Sequence, residues 1–158
     1  MRIRETRTAD LDALWSMLEP VFRAGDTYAI APDISREDAL SYWTAHHAYV
    51  AEIDGTPVGT FYIRPNQQGG GAHVCNCGYI TARGAEGKGV AREMLAFSLE
   101  EARRLGFEAM QYNFVLASNA RAIDTWKRAG FLEIGRIPRA FKLPDGDYTD
   151  ALILHRFL

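Results

Sequence analysis

No apolar run in this 158-residue chain approaches the ~20 residues that span a bilayer. The N-terminus also lacks a basic-then-apolar leader pattern. These absences argue against a membrane partner and make the cytoplasm the expected compartment. Charge of one sign is missing too. With 18 basic and 20 acidic side chains, the net charge is −2, which gives no field to attract nucleic acid or an anionic surface. Cysteine is scarce, with only Cys75 and Cys77. At i and i+2 on a strand they share a face, a spacing poorly disposed for a disulfide, so they read as two small buried thiols. The four histidines stand at no metal-ligand spacing from them, and no metal is expected. There is no repeat, low-complexity run or linker, so residues 1–158 read as a single domain. A composition of 47% apolar and 24% charged residues suits an ordinary globular core.

What is present is an alternation of strand and helix patterns. Arg2 to Arg7 reads as a first strand. Thr8 is a candidate N-cap for a helix reaching about Phe22, with Leu11, Leu14, Trp15, Leu18 and Phe22 on one face. Ser35 opens a second helix, with Glu37 and Asp38 in its first turn, which His46-His47 would close. Tyr49–Ile53 and Val58–Arg64 are strands joined by Asp54-Gly55-Thr56-Pro57, a hairpin turn signal. The polar loop Asn66–Gly71 leads to a strand over His73–Thr81. A helix then runs to about Leu105, with Gly106 as its stop. Phe107–Leu116 reads as a strand, Ser118–Ala129 as a helix, and Phe131–Arg136 and Asp150–Phe157 as closing strands around Pro138–Gly146. Helices between strands in the second half predict an α/β (α+β) chain, a mixed sheet with helices on both faces.

The segment Glu86-Gly87-Lys88-Gly89-Val90-Ala91-Arg92 lies between a strand and a helix. The first N–H groups of a helix lack intrahelical partners and carry partial positive charge. Glycines there remove the Cβ atoms that would hold an anion away, so the loop reads as a phosphate or pyrophosphate cradle. It is not a Walker A loop, since no Gly-Lys-Ser/Thr follows, and it lacks the acidic residue of the dinucleotide fingerprint.

A second motif narrows the reading. Asn119-Ala120-Arg121-Ala122, closing with Ala129-Gly130-Phe131, follows the loop in order. Together the two motifs resemble the GCN5-related N-acetyltransferases. Within that family, His73–Tyr79, Tyr112–Val115 and Arg121–Phe131 are similar to the fungal acetyltransferases that act on azetidine-2-carboxylate. The resemblance implies a mostly antiparallel sheet of six to seven strands with a splayed central pair, 73–81 and 107–116. It implies acetyl-CoA as co-substrate, its pyrophosphate on Gly87, Lys88, Gly89, Val90, Ala91 and Arg92, with Asn119 as a further contact. The pantetheine arm would pair with backbone near Ile80 and Thr81. It further implies Asn76 and Asn119 as catalytic polar groups, Asn76 and Asn113 as substrate contacts, a small amine or amino-acid-like acceptor, and a homodimer through the late strands.

Two departures bear on the chemistry. Trp126 stands where many relatives have a Tyr that protonates the leaving thiolate, and indole N–H has no such acid chemistry. No Asp or Glu lies on 73–81 to act as base. Tyr79, Tyr112, Cys75 and Cys77 are substitute acids by position, and a water relay to Glu52 is a substitute base. Asn76 reads either as a site residue or as a satisfied core amide. Asn119 reads as a helix cap, a ligand, or both. Tyr28, Trp43 and Phe61 are candidates for the acceptor pocket or for plain packing. The alternatives to an N-acetyltransferase for small amines are a non-catalytic acyl-CoA-binding module and an enzyme for peptide acceptors.

Overall fold

The helices start and stop where small polar residues and glycines permit it. The computed structural model describes residues 1–158. In chain order the elements are β1 (Arg2–Glu5), α1 (Leu11–Ala24), α2 (Arg36–Thr44), β2 (His47–Ile53), β3 (Thr56–Pro65), β4 (Val74–Thr81), α3 (Val90–Arg104), β5 (Ala109–Leu116), α4 (Ala120–Arg128), β6 (Leu132–Lys142) and β7 (Tyr148–Phe157). Ser35 caps α2 by accepting the Asp38 N–H at 3.0 Å. Gly25 (φ 65°) ends α1 in the left-handed conformation. The hairpin turn forms as its residues require, with both Asp54 (φ 49°) and Gly55 (φ 77°) at positive φ between β2 and β3.

All seven strands join one sheet in the order β1-β2-β3-β4-β5-β7-β6. Only β4 and β5 pair in parallel; every other neighbouring pair is antiparallel. Alternation along β3 sorts its side chains between two cores. Phe61 and Ile63 join Tyr49, Cys75, Met94, Leu95 and Leu99 under α3, and Ile123 and Trp126 of α4 pack against the same cluster. Tyr62 joins Leu14, Leu18, Phe22, Ala39 and Trp43 under α1 and α2. The mixed, mostly antiparallel sheet with helices on both faces is the predicted architecture. No helix is long and apolar enough to cross a membrane.

Several boundaries differ for physical reasons. Thr8 does not cap α1. It begins a single 3₁₀ turn, Thr8–Asp10, in which Asp10 accepts the Arg7 N–H at 2.7 Å and is held by Arg4, which also binds Glu52 of β2. His46-His47 do not close α2, which ends at Thr44; His47 is the first residue of β2. The last hairpin is much longer than predicted, because β6 runs through Pro138 to Lys142. A proline is tolerated there because β6 is an edge strand. Its register with β7 shifts between Ile137 and Phe141, where Arg139 takes φ 47° and donates its N–H to Asp150 at 2.8 Å.

Candidate active site

The parallel pair holds together for only two rungs, Val74↔Ala109 and Cys75↔Met110, and then the strands part. Asn76 sits at the fork. Its Nδ2 donates to the Gln111 carbonyl at 3.0 Å, so a side chain takes the place of the next backbone rung. Beyond it, β5 slips register against β7 between Tyr112 and Val115, and a bulge of that kind bends a strand away from its neighbour. The split opens a cavity of about 830 Å³ that reaches both faces of the sheet. Its wall runs from Tyr28, Tyr42 and Tyr62 on the α1–α2 side to the loop before α3 and the first turns of α4.

The glycine loop is built as its sequence implies. Gly84, Gly87 and Gly89 adopt φ of 83°, 77° and 79°, a region costly to residues with a Cβ. The N–H groups of Gly87, Gly89, Val90, Ala91 and Arg92 meet no backbone acceptor, and all five residues line the cavity. Lys88 departs from the expectation. Its N–H turns back to the Ala85 carbonyl at 3.4 Å, and it lies outside the cavity wall. Glu86 does not confront an incoming anion with an unpaired carboxylate, since its Oε2 accepts the Gly84 N–H at 2.6 Å.

On β4 the alternation of backbone groups decides which residues serve the split. Val74 O accepts from Asn66 N and Ala82 N donates to Val58 O, so even-numbered residues turn toward β3. Ile80, which pairs with Thr60, therefore has its backbone in the ladder and offers the split only its side chain. Cys77, Tyr79 and Thr81 are the residues whose backbone faces the opening. The Tyr79 carbonyl is already met by the Tyr28 hydroxyl at 3.0 Å.

The three asparagines are placed differently. Asn76 is half-buried and satisfied at both ends, its Oδ1 accepting from the Tyr62 hydroxyl at 3.3 Å. It lines the cavity, so it is a structural clamp that also borders the open space. Asn119 caps α4 by accepting the Ala122 N–H at 3.3 Å and also lines the cavity. Asn113 lines it as well but is exposed and engaged with Asn66 (2.6 Å) and Gln111 (3.0 Å).

No alternative acid is free to act. Ser98 donates to the Leu95 carbonyl at 2.8 Å, so the Tyr79 hydroxyl, 2.7 Å away, donates to Ser98. The Tyr112 hydroxyl then donates to Tyr79 at 3.1 Å or to the Met110 sulfur. Burial raises both phenols well above the usual tyrosine value. The Cys77 thiol is likewise pushed up by burial and by its neighbour Cys75. Trp126 forms wall, its ring 5.2 Å from Tyr79 and 5.1 Å from Tyr112. Glu52 lies on β2, held by Arg4 and outside the cavity, so a relay to it has no path here. Of the aromatic candidates, Tyr28 lines the cavity, Trp43 is fully buried with its indole N–H on Thr60, and Phe61 stacks between Tyr49 and Tyr79.

The sequence reading passed over Tyr42 and Tyr62, which line the cavity. Tyr62 fits because Gly78 opposite it has no side chain; a Cβ there would meet the ring at 2.7 Å. No group of three or more His, Cys, Asp or Glu side chains is placed to hold a metal.

The sequence model of the acetyltransferase (GNAT) family matches residues 11–131. The chain is 36% identical over 97 residues to N-acetyltransferase aca1 of the fungus Schizosaccharomyces pombe, a match covering 61% of this chain but only 46% of that protein. The solved GCN5-related N-acetyltransferase of Kribbella flavida superposes with a TM-score of 0.94 at 34% identity, covering 99% of this chain and 97% of that one. The protein yncA of Salmonella typhimurium, solved with its cofactor acetyl-CoA, superposes at 0.88 with 20% identity, covering 100% of this chain and 94% of that one. A family match that spans both the glycine loop and the Asn119 motif places this chain in the GNAT family of acetyltransferases.

Proposed function

We propose that the chain is an acetyl-CoA-dependent N-acetyltransferase for a small amine or amino-acid-like acceptor. The observation that carries this reading is the single cavity through the β4–β5 split, with free helix N–H groups at one end and a tyrosine-lined wall at the other. The residues fit the co-substrate. Gly87, Gly89, Val90, Ala91 and Arg92 offer their N–H groups to the pyrophosphate, and the space beside both glycines is open. Thr81 offers backbone to the pantetheine arm, and Asn119 stands beside it at the start of α4. The solved relative from Salmonella typhimurium holds acetyl-CoA on the same fold.

Acetyl-CoA supplies an activated acetyl group. The acceptor's neutral nitrogen forms its bond to the acetyl carbon as the carbon–sulfur bond breaks, and the ammonium proton goes to solvent. Sulfur departs as thiolate, which a thiol pKa near ~8.5 allows without an acid. The protein holds the two reactants at the fork, and the Asn76 amide lies there to steady the acyl oxygen. No nucleophile paired with a base lines the cavity, so the transfer is direct.

Calorimetry should show acetyl-CoA binding, and CoA release should rise well above hydrolysis with amine acceptors. Absence of acetyl-CoA binding sinks the reading. Binding without turnover of any amine leaves the acyl-CoA-binding module, and turnover of peptides alone leaves the peptide enzyme.

A further inference from the structure

Arg64, near the end of β3, is a cation without a counter-ion. Its guanidinium carbon lies 3.7 Å from the centroid of the Tyr62 ring and 4.4 Å from that of Tyr42. Its Nη2 is buried with no hydrogen-bond partner, and none of the chain's ion pairs includes it. Arg64 is not part of the cavity wall, but both rings packed against it are. Register fixes where the charge stands. Arg64 pairs across the strands with Asn76, which borders the opening between β4 and β5. The charge is therefore one to two strand spacings, about 5–10 Å, from the split.

Nothing acidic offsets it at this end of the cavity. Strands β3, β4 and β5 carry no Asp or Glu. On β2, His47 starts the strand and Glu52 is bound to Arg4. On α1, Asp12 is paired with Arg36 and Glu19 with Arg23. Glu37 and Asp38 occupy the first turn of α2, and Asp26 and Asp33 lie in the loop between the two helices. None of these lines the cavity. Its charged wall residues are Glu86, Arg92 and Arg121, in the glycine loop and at the starts of α3 and α4. Burial raises the phenols of Tyr28 and Tyr62 and the Cys77 thiol, all in the wall, and the Arg64 charge pulls each of them the other way. Its field reaches the open space.

We infer that Arg64 is a charge filter for the acceptor: its unbalanced positive field keeps the ammonium form out of the site and admits the neutral amine. The inference rests on the acetyltransferase reading above. An ammonium ion has no lone pair with which to attack, and the cavity offers no base to deprotonate one already bound. A fixed cation beside the site solves this without a base, because it weakens binding of the charged form alone. One unit charge about 10 Å away, acting through a protein interior, lowers the pKa of a bound amine by about one unit.

The test uses whichever of n-butylamine, benzylamine, glycinamide and alanine releases CoA fastest. Two pH profiles are compared in the wild type, Arg64→Gln and Arg64→Lys. One is kcat/KM, which follows the free acceptor; the other is the single-turnover transfer rate at saturating acceptor, which follows the bound one. In the wild type the second should bend about one pH unit below the first. In Arg64→Gln the two bends should converge. Well below the bend, the saturating rate and KM of that variant should then fall together by about 10-fold, with kcat/KM and the high-pH plateau unchanged. Arg64→Lys keeps the charge and should keep the separation. Acetyl-CoA affinity should be the same in all three proteins. Coincident bends in the wild type overturn the inference, and so does a separation that Arg64→Gln leaves intact. The wild-type comparison needs no variant, and Arg64→Met replaces Arg64→Gln if that protein fails to fold. Turnover of none of the four amines tells instead against the small-amine reading.

Discussion

Gly89 and Gly106 stand at opposite ends of α3 with similar backbone conformations, φ 79° and 91°, and an added Cβ at either would meet nothing within 4 Å. Alanine at either site therefore carries mainly the left-handed backbone cost, about 1–2 kcal/mol, which reads as a fall in Tm of roughly 2–8 °C. The two differ only in what lies beside them. Gly106 lies outside the cavity, whereas Gly89 is part of the wall with free N–H groups. Gly106→Ala should lower Tm and leave acetyl-CoA affinity unchanged. Gly89→Ala should lower Tm by a similar amount and weaken acetyl-CoA about 10-fold or more in calorimetry, because its methyl enters the anion's space. Equal affinities would move the pyrophosphate off this residue. A positive φ is a local demand, and for that reason the glycine loop was legible in sequence. The tyrosine wall was not. Tyr42 and Tyr62 meet only because α2 packs over β3, a contact that no local pattern reveals.

At the level of elements, the same contrast runs through α4 and β6. Asn119 was legible in its capping role because a cap is a local bond to Ala122. The ligand role is separable by substitution. Asn119→Ala should destabilise the fold by about 0.5–2 kcal/mol, the usual worth of a cap. Asn119→Asp keeps an acceptor for the Ala122 N–H and should hold Tm near the wild-type value. If the amide also serves the co-substrate, Asn119→Asp will still bind acetyl-CoA more weakly; full affinity in that variant assigns Asn119 to capping alone. Strand β6 shows where local reading fails. Pro138 reads as a breaker, yet an edge strand tolerates a proline, and Asp150 of β7 receives the Arg139 N–H at the bulge. Ile80 illustrates a subtler limit. Its strand was predicted, but whether its backbone faces β3 or the split depends on register, which the antiparallel pairing with β3 fixes.

Across the whole molecule, the distribution of titratable groups decides how the reaction responds to pH. All four histidines lie away from the cavity: His46 just before β2, His47 at its start, His73 before β4 and His155 on β7. The only carboxylate in the wall is Glu86, beside the anion cradle and bound to the Gly84 N–H. The phenols of Tyr28, Tyr62, Tyr79 and Tyr112 are all raised, chiefly by burial, and so is the Cys77 thiol. A raised phenol or thiol stays protonated and neutral as pH climbs, so these groups neither supply a base near neutrality nor switch off above it. The ionisation left to govern the rate is that of the acceptor. Below its pKa the neutral amine grows tenfold per pH unit, so log kcat/KM should rise with a slope of one and level off above that pKa. Exchanging the acceptor for one with a less basic nitrogen should move the bend down by the difference in their pKa values. An inflection that stays near neutral pH whatever the acceptor would mean that an enzymic base acts, contrary to this arrangement of side chains.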